Sequence, residues 1–347
     1  MVTPPPLRNA EMPVFDDVGP MVRGWLLDGT GGGRQVSWQE VLAWTPEQGP
    51  LWAHLDRQHP ETRRWLREDS GLDELVWEAV LAEETRPRAQ GHGDCALVNL
   101  RGINQNPGED PDDMVSLRMW FEPMRILTFR RLPVMAVRDL HFALEAGRGP
   151  TGVGDLLCEI AEYMVDGIEP VVNTLEEVVD ELEEQQLARH RRRFRSPLSD
   201  DPAADHVLEV RSQAANLRRY IAPQKDALNQ ACNLALPWIT PLHQRRLREV
   251  SDIVQRQVEV LEAIREHALI LSDRIEHRMD ARLNRTMFVL SAVAAVFMPL
   301  TVLTGMMGMN VGGIPFAESP HGFLYSSIVM GLVLAVILWA FKKLGWL

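Results

Sequence analysis

Two stretches near the C-terminus limit what this chain can become. From about Met287 to Met307, and again from about Phe323 to Phe341, there is no charged residue. A helix needs roughly 20 apolar residues to cross ~30 Å of hydrocarbon. The chain is therefore expected to end in a membrane hairpin, with spans at 287–307 and 323–341. The loop between them, 308–322, opens with Gly308-Met309-Asn310 and continues Val311-Gly312-Gly313-Ile314-Pro315. A turn of Gly and Asn held at one membrane face points toward ion permeation more than toward a plain anchor.

Charge placement orients the hairpin. Arg282 and Arg285 precede the first span, and Lys342 and Lys343 follow the second, whereas 311–322 carries only Glu318 and His321 as polar titratable groups. Lys and Arg are biased to the cytoplasmic side, so both termini are expected there and the loop outside. Roughly 280 residues remain for a cytosolic part, enough for a sizeable core. Met1 to Pro20 has no apolar signal-peptide region, so none is expected. Cys95, Cys158 and Cys232 form no Cys-x-x-Cys pair, which argues for a reducing compartment and against a disulfide framework or structural zinc site. The net charge of -12 argues against a nucleic-acid partner. It fits a soluble domain, or a negative vestibule that concentrates cations.

Residues 1–20 read as a flexible N-terminus and 21–150 as a cytosolic α/β domain. Gly24–Asp28, Leu51–Leu55, Cys95–Ile103, Met114–Phe121 and Arg125–Arg130 have strand character, and Glu61–Leu81 has helical periodicity. A helical hairpin is expected over 151–238. Its first helix runs from Asp155 to about Arg193, acidic in the centre and basic at the end. A break at Ser196–Ala203 precedes a second helix, about Asp205 to Asn233. A stalk helix, 239–286, starts near Thr240. Leu247, Val250, Val254, Leu261, Ile264, Ala268, Leu271, Ile275, Met279 and Leu283 recur at steps of mostly three or four. No Pro or Gly interrupts from Leu242 to Phe297, so the stalk is expected to run on into the first span. About 65 residues at 1.5 Å each make a rod of roughly 100 Å. One narrow apolar stripe on so long a helix expects partners along its length. Residues 342–347 form a basic cytosolic tail.

Within the first span, Asn284, Met287, Leu290 or Ser291, Ala294, Met298, Thr301 and Gly305 follow at the spacing of one helix face. The face is polar at the cytosolic end, bulky and apolar in the middle, small and hydroxylic outward. Such a face serves either as a helix–helix interface of small residues or as a pore wall. Two spans cannot enclose a pore, so a pore requires a homo-oligomer of four or more chains. Divalent ions hold water tightly, magnesium especially. Neutral oxygens such as the Asn310 amide can hydrogen-bond the ion's water shell without stripping it. Gly308, without a side chain, lets its carbonyl face an axis and lets the backbone turn. Pro299 removes one backbone bond and reads as a kink. Zinc favours His or Cys ligands, and the spans contain neither. His321 is the one candidate near the path, while His267 and His277 fall on different stalk faces, so a passing metal is expected to stay hydrated. The run Gly29-Thr30-Gly31-Gly32-Gly33 lacks the Gly-Lys-Ser/Thr ending of a phosphate loop and reads as a turn. No nucleophile–base arrangement stands out, so neither an enzyme nor a cofactor is expected.

The Gly308-Met309-Asn310 turn between two terminal spans resembles the CorA family of divalent-cation transporters. Val311 to Pro315, Leu51-Trp52-Ala53-His54-Leu55-Asp56, Glu84-Thr85-Arg86-Pro87-Arg88 and Arg218-Arg219-Tyr220-Ile221-Ala222-Pro223-Gln224 resemble its ZntB-like zinc-transporter branch. The resemblance covers most of the chain. The loop lacks the acidic Met-Pro-Glu-type segment of many relatives, which favours the zinc branch, while Met309 matches the broader family. The resemblance implies an α+β cytosolic domain with long helices, plus two C-terminal transmembrane helices, assembled as a funnel-shaped homopentamer in the inner membrane. It implies a pore lined by Asn284, Met287, Leu290, Ala294, Met298, Thr301 and Gly305. In it Asn284 forms a polar ring at the inner mouth, and Leu290 and Met298 form hydrophobic rings that dewet and close the path. Thr301 and Gly305 are outer sites, and Gly308, Met309 and Asn310 form a selectivity filter, with Asn310 meeting a hydrated cation through its water shell.

The expected cargo is zinc, with magnesium or cobalt as the alternative; the expected partners are copies of the same chain, divalent cations and membrane lipid. A membrane-tethered signalling or scaffold protein is the rival of another class, and it gives no reason for the residues of the turn. The basic run Arg189, Arg191, Arg192, Arg193 and Arg195 is expected to pair with carboxylates such as Glu183, Glu184, Glu259, Glu262 and Glu266 rather than to reach anionic lipid.

Overall fold

The structure is a computed structural model and describes residues 19–83, 86–106, 108–110, 113–191, 202–309, 314–315 and 320–344. It divides into two units, one ending at Ser272 and the other beginning at Asp273. The first unit is built on seven strands: β1 (Met21–Leu27), β2 (Gly33–Gln35), β3 (Leu51–Asp56), β4 (Arg88–His92), β5 (Cys95–Gly102), β6 (Val115–Phe121) and β7 (Arg125–Arg130). Their order in the sheet is β2-β1-β3-β7-β6-β5-β4. The pair β3–β7 is parallel, with Leu55 opposite Phe129. It joins two antiparallel ribbons, one of β2, β1 and β3 and the other a consecutive meander from β4 to β7.

Alternation along the strands sorts side chains to two faces. Leu51, Ala53 and Leu55 of β3, with Leu127 and Phe129 of β7, share one buried cluster with Trp65 and Leu66 of helix α2 (Pro60–Glu68) and Val76 and Val80 of α3 (Glu74–Leu81). Val41 of the short α1 (Trp38–Leu42) joins them. Two buried arginines hold the carbonyl end of α3: Arg118 donates to the Val80 carbonyl, and Arg57 to the Ala82 carbonyl at 3.2 Å. Cations at the negative end of a helix are favourably placed. The opposite face carries Trp52 and His54. There Trp25 Nε1 donates to His141 Nδ1 of α4 (Met135–Glu145) at 3.1 Å, and a Cβ at Gly102 would stand 3.1 Å from Met164 of α5 (Val153–Asp166).

Two expected helices prove to be divided. Over 61–81, Gly71 takes a left-handed φ of 71° and Asp73 caps the second piece by accepting from the Leu75 amide, which separates α2 from α3. The helix expected from Asp155 to Arg193 is α5 and α6 (Ile168–Arg191), joined at Gly167, which caps α5 beside the end of the Gln105 side chain. The segment Gly29 to Gly33 is a β1–β2 turn: Asp28 accepts from the amides of Thr30 at 2.7 Å and Gly32 at 3.1 Å, and Gly29 and Gly31 have φ of 78° and 100°. Helix α7 spans Pro202–Cys232 and α8 Pro241–Met307. They run antiparallel, because Cys232 Sγ reaches the Gln244 carbonyl, Ser251 meets Asn229, and Arg218 meets Glu262 at 2.8 Å. Glu262 accepts from Arg218; the side chains of the basic run lie outside the described residues. Leu247, Val250, Val254, Leu261, Ile264, Ala268 and Leu271 of the α8 stripe are all buried.

A polar seam ties α5 to the start of α8. Asp155 accepts from His243 Nε2 at 3.1 Å and Arg246 Nη1 at 3.2 Å, and Arg246 grips Glu162 with two bonds of 2.9 Å. Gly154 is required beside it, since a Cβ would run into the His243 ring. Cys158 is buried nearby, and burial pushes its thiol up to about 12, so it stays protonated. Glu159 completes the seam with one carboxylate oxygen unpartnered. Burial pushes its carboxyl up to about 7, against the pull of Arg246 and with the help of Asp155 and Glu162. The unfolded carboxyl titrates near 4.5, so the folded state holds the proton more tightly. Stability is then greatest below about 4.5, falls as pH rises towards 7, and stays reduced above it. Glu159→Gln is expected to flatten this slope and to stabilise the protein by about 1 kcal/mol at pH 8, allowing for solvent around a half-buried group. Urea unfolding of both proteins at pH 5 and pH 8 checks this, and identical pH slopes would refute it.

Candidate functional site

The second unit contains the end of α8 and α9 (Gly322–Lys343), two helices long and apolar enough to cross a membrane and with no part of their apolar windows buried. Exposure of Phe297, Met298, Phe323, Leu332 and Trp339 above half their surface makes sense in hydrocarbon rather than water. Lys342 and Lys343 close α9, and the Lys343 ammonium lies 5.2 Å from the Trp339 ring centroid, a pairing suited to a membrane boundary.

The half-buried positions of α8 beyond residue 291, Ala292, Val296, Pro299, Leu300, Leu303 and Met307, share one face. Asn284, Met287, Leu290, Ser291, Ala294, Met298, Thr301 and Gly305 are all exposed. At ~100° per residue they fall about half a turn from that face. From residue 292 onward the sequence-derived face is the side of α8 that stays exposed, while from 281 to 291 every position is exposed. On α9 the half-buried positions Ser326, Met330, Val333, Ile337 and Ala340 likewise share one face.

Local chemistry along α8 grades as the sequence implies. Thr301 Oγ1 donates to the Phe297 carbonyl at 2.9 Å, which uses its proton and leaves its lone pairs available. Thr304, which the sequence reading passed over, donates within 3.0 Å of both the Leu300 and Thr301 carbonyls. Pro299 lies within the helix without ending it; its missing N–H frees the Ala295 carbonyl. A Cβ at Gly305 meets nothing within 4 Å, so packing inside one chain does not demand glycine there. At Gly308 a Cβ would stand 3.2 Å from the Thr304 carbonyl oxygen. Gly308 is not left-handed. A close approach, not the expected freedom to turn, is what glycine serves here. The helix ends as the Gly308 amide donates to Thr304 at 2.9 Å. Met309 follows, half-exposed. Asn310, Val311 to Gly313 and Glu318 lie outside the described residues.

The sequence matches the family described as "CorA-like Mg2+ transporter protein" over residues 47–343. The chain belongs to the CorA family. Among CorA-family relatives it is 37% identical to the "Divalent cation transporter CmaX" of Pseudomonas aeruginosa over 94% of this chain and 97% of the relative. It is 32% identical to the "Zinc transport protein ZntB" of Pectobacterium carotovorum over 94% of this chain and 96% of the relative. The structure of the full-length CmaX protein superposes with a TM-score of 0.80 at 35% identity, covering 94% of this chain and 98% of that one. The match of the family from 47 to 343 takes in the strands from β3 onward, the long helices and both spans together. Among the described residues no group of three His, Cys, Asp or Glu is placed to hold a metal ion. In this CorA-family chain the candidate site is therefore the α8 face and the turn that follows it.

Proposed function

We propose that the protein transports divalent cations, zinc first, across the bacterial inner membrane through an axial pore formed by the 287–307 span of each subunit. The observation that carries this reading is the uncovered α8 face, polar then apolar then hydroxylic, leading into Gly308 and Met309. One chain leaves that face bare, so several copies must close around it; five is the number the family resemblance implies. In this arrangement 21–150 and 151–238 are cytosolic, 239–286 is the stalk, 308–322 is the outer loop, 323–341 faces lipid, and both termini are cytoplasmic. Gly308, Met309 and Asn310 form the outer filter. Neutral oxygens there hold the ion's water shell and release it readily, where a carboxylate ring would retain it.

The similarity to ZntB favours zinc, and the matched family's description favours magnesium as the second reading. Purified protein in liposomes loaded with zinc- or magnesium-sensitive dye separates them. Zinc uptake faster than magnesium uptake is expected. The reverse order would replace the cargo, and no flux of either ion would leave the hairpin as an anchor.

A further inference from the structure

Three methionines stand in line along α8 and its end. Met287, Met298 and Met309 recur at intervals of 11 residues. Eleven residues make three helical turns plus about 20°, so Met287 and Met298 lie on one side of α8, roughly 16 Å apart along its axis. Met309 follows the end of the helix and stays close to it, its amide donating to the Met306 carbonyl at 3.4 Å. All three are exposed, at 63%, 67% and 51%. Met306, between Met298 and Met309 in the chain, falls about 80° off this line. Small residues flank the line. Ser291, Ala294, Thr301 and Gly305 each lie one turn from one of these methionines on the same side. A Cβ at Gly305 would meet nothing within 4 Å. The thioethers therefore have room to change rotamer.

The other ligand atoms on this span are few. From 287 to 307 the sequence has no His, Cys, Asp or Glu. The hydroxyls of Thr301 and Thr304 donate to backbone carbonyls. Thioether sulfur is the soft, polarizable atom here, carried on a side chain with three rotatable bonds. Around an axis, a symmetric oligomer repeats each methionine once per chain and sets several neutral sulfurs at one level; this step rests on the pore reading of α8 proposed above. Thioethers suit cuprous ions, whereas carboxylate, carbonyl and water suit magnesium. Zinc takes thiolate, imidazole or carboxylate ligands. A hydrated divalent ion therefore gains little from such a ring, while a soft monovalent ion exchanges its water for two or three sulfurs. We infer that the Met298 ring, with the Met287 and Met309 rings as weaker sites, binds soft monovalent cations of the cuprous class, and that an ion held there blocks divalent flux. Met298 has a small residue one turn away on both sides, Ala294 and Thr301, which is why its ring closes on an ion most readily. Neutral ligands leave the bound ion its positive charge, which repels a following divalent ion.

Silver(I) is the probe, since it shares this chemistry and does not oxidise in air. The full-length protein in detergent and chloride-free buffer is titrated with silver nitrate, and free silver is read with an ion-selective electrode. The three cysteines are common to every variant. The difference between wild type and a triple variant, Met287→Leu with Met298→Leu and Met309→Leu, therefore counts the thioether sites. Leucine keeps the apolar volume and removes the sulfur. The expected difference is fewer than one ion per chain, because each ring is shared. Met298→Leu alone is expected to weaken the tightest of these sites on the order of tenfold. In liposomes, silver is expected to cut uptake of radioactive zinc by wild type several-fold and to leave the triple variant near its own silver-free rate. The inference fails if wild type and triple variant, both eluting as oligomers, bind silver alike or are blocked alike. It fails too if the difference reaches one ion per methionine, since each thioether would then act alone. Absence of zinc uptake before silver is added would instead remove the pore reading, and the binding difference would still decide whether the sulfurs are shared.

Discussion

Asn310→Ala is expected to abolish divalent flux, by tenfold at least, while the oligomer still assembles. The reason is chemical economy at the outer mouth. Of Gly308, Met309 and Asn310, Asn310 has the only polar side chain. Its amide oxygen can accept hydrogen bonds from the water around a divalent ion, and a ring of them compensates for the partial loss of bulk hydration. Alanine removes every such acceptor and leaves the ion to cross a methyl-lined ring. Thr301 does not replace it, because it lies nine residues earlier in the sequence, inside α8 rather than after its end. Assembly should survive, because the residue follows the end of α8 at Met307 in the sequence. Dye-monitored uptake of zinc and magnesium, with oligomer size from light scattering, reads both parts. A mutant that assembles and transports at the wild-type rate removes Asn310 from the filter.

Met298→Gly is expected to raise the basal leak through the closed protein, again on the order of tenfold. Met298 is 67% exposed in the single chain and lies on the face opposite the half-buried positions. In a closed oligomer that face meets its symmetry mates. A ring of thioethers offers water and hydrated ions no good hydrogen-bond partner, so a narrow passage there dries and blocks conduction. Glycine widens the ring and exposes backbone carbonyls. It also costs about 1 kcal/mol of helix stability relative to alanine, so Met298→Ala, with a smaller expected leak and no such cost, should accompany it. Leu290, 61% exposed one ring inward, predicts the same direction of change. Unchanged leak, together with a cysteine at 298 that thiol reagents reach from neither side, would assign this residue to a helix interface.

The parts of this protein legible in its sequence are those set by local or periodic properties. Apolar run length marks the two spans, because hydrocarbon thickness sets a minimum of about 20 residues. The absence of Pro and Gly from 242 to 297 forecasts one unbroken helix, and α8 runs from Pro241 to Met307. Its stripe from Leu247 to Leu271 is buried as its spacing implies. The strands at 51–56, 95–102, 115–121 and 125–130 stand out as short, largely apolar runs. Weak local signals were missed: β2 has three residues, β4 contains Gly91 and His92, and α4 follows Pro133 without a side-chain cap.

What only the tertiary structure decided are pairings between distant residues, which no local propensity encodes. The parallel pairing of β3 with β7 is one, since a strand's faces are readable in sequence but its neighbour is not. The division of α5 from α6 is another: Gly167 alone is a tolerable helix residue, and nothing in the sequence shows that it caps α5 beside Gln105. Asp155, Glu162, His243 and Arg246 read as ordinary surface charges until α5 and α8 bring them together. His54 reads as part of a family-like strand until Thr128 takes one ring nitrogen and leaves the other buried without a partner. The sequence names the candidate pore-face residues by their spacing, but which side of α8 stays bare depends on what the rest of the chain covers. Burial is a property of the folded neighbourhood rather than of the residue, and that is why the structure was needed to set that face apart from its opposite.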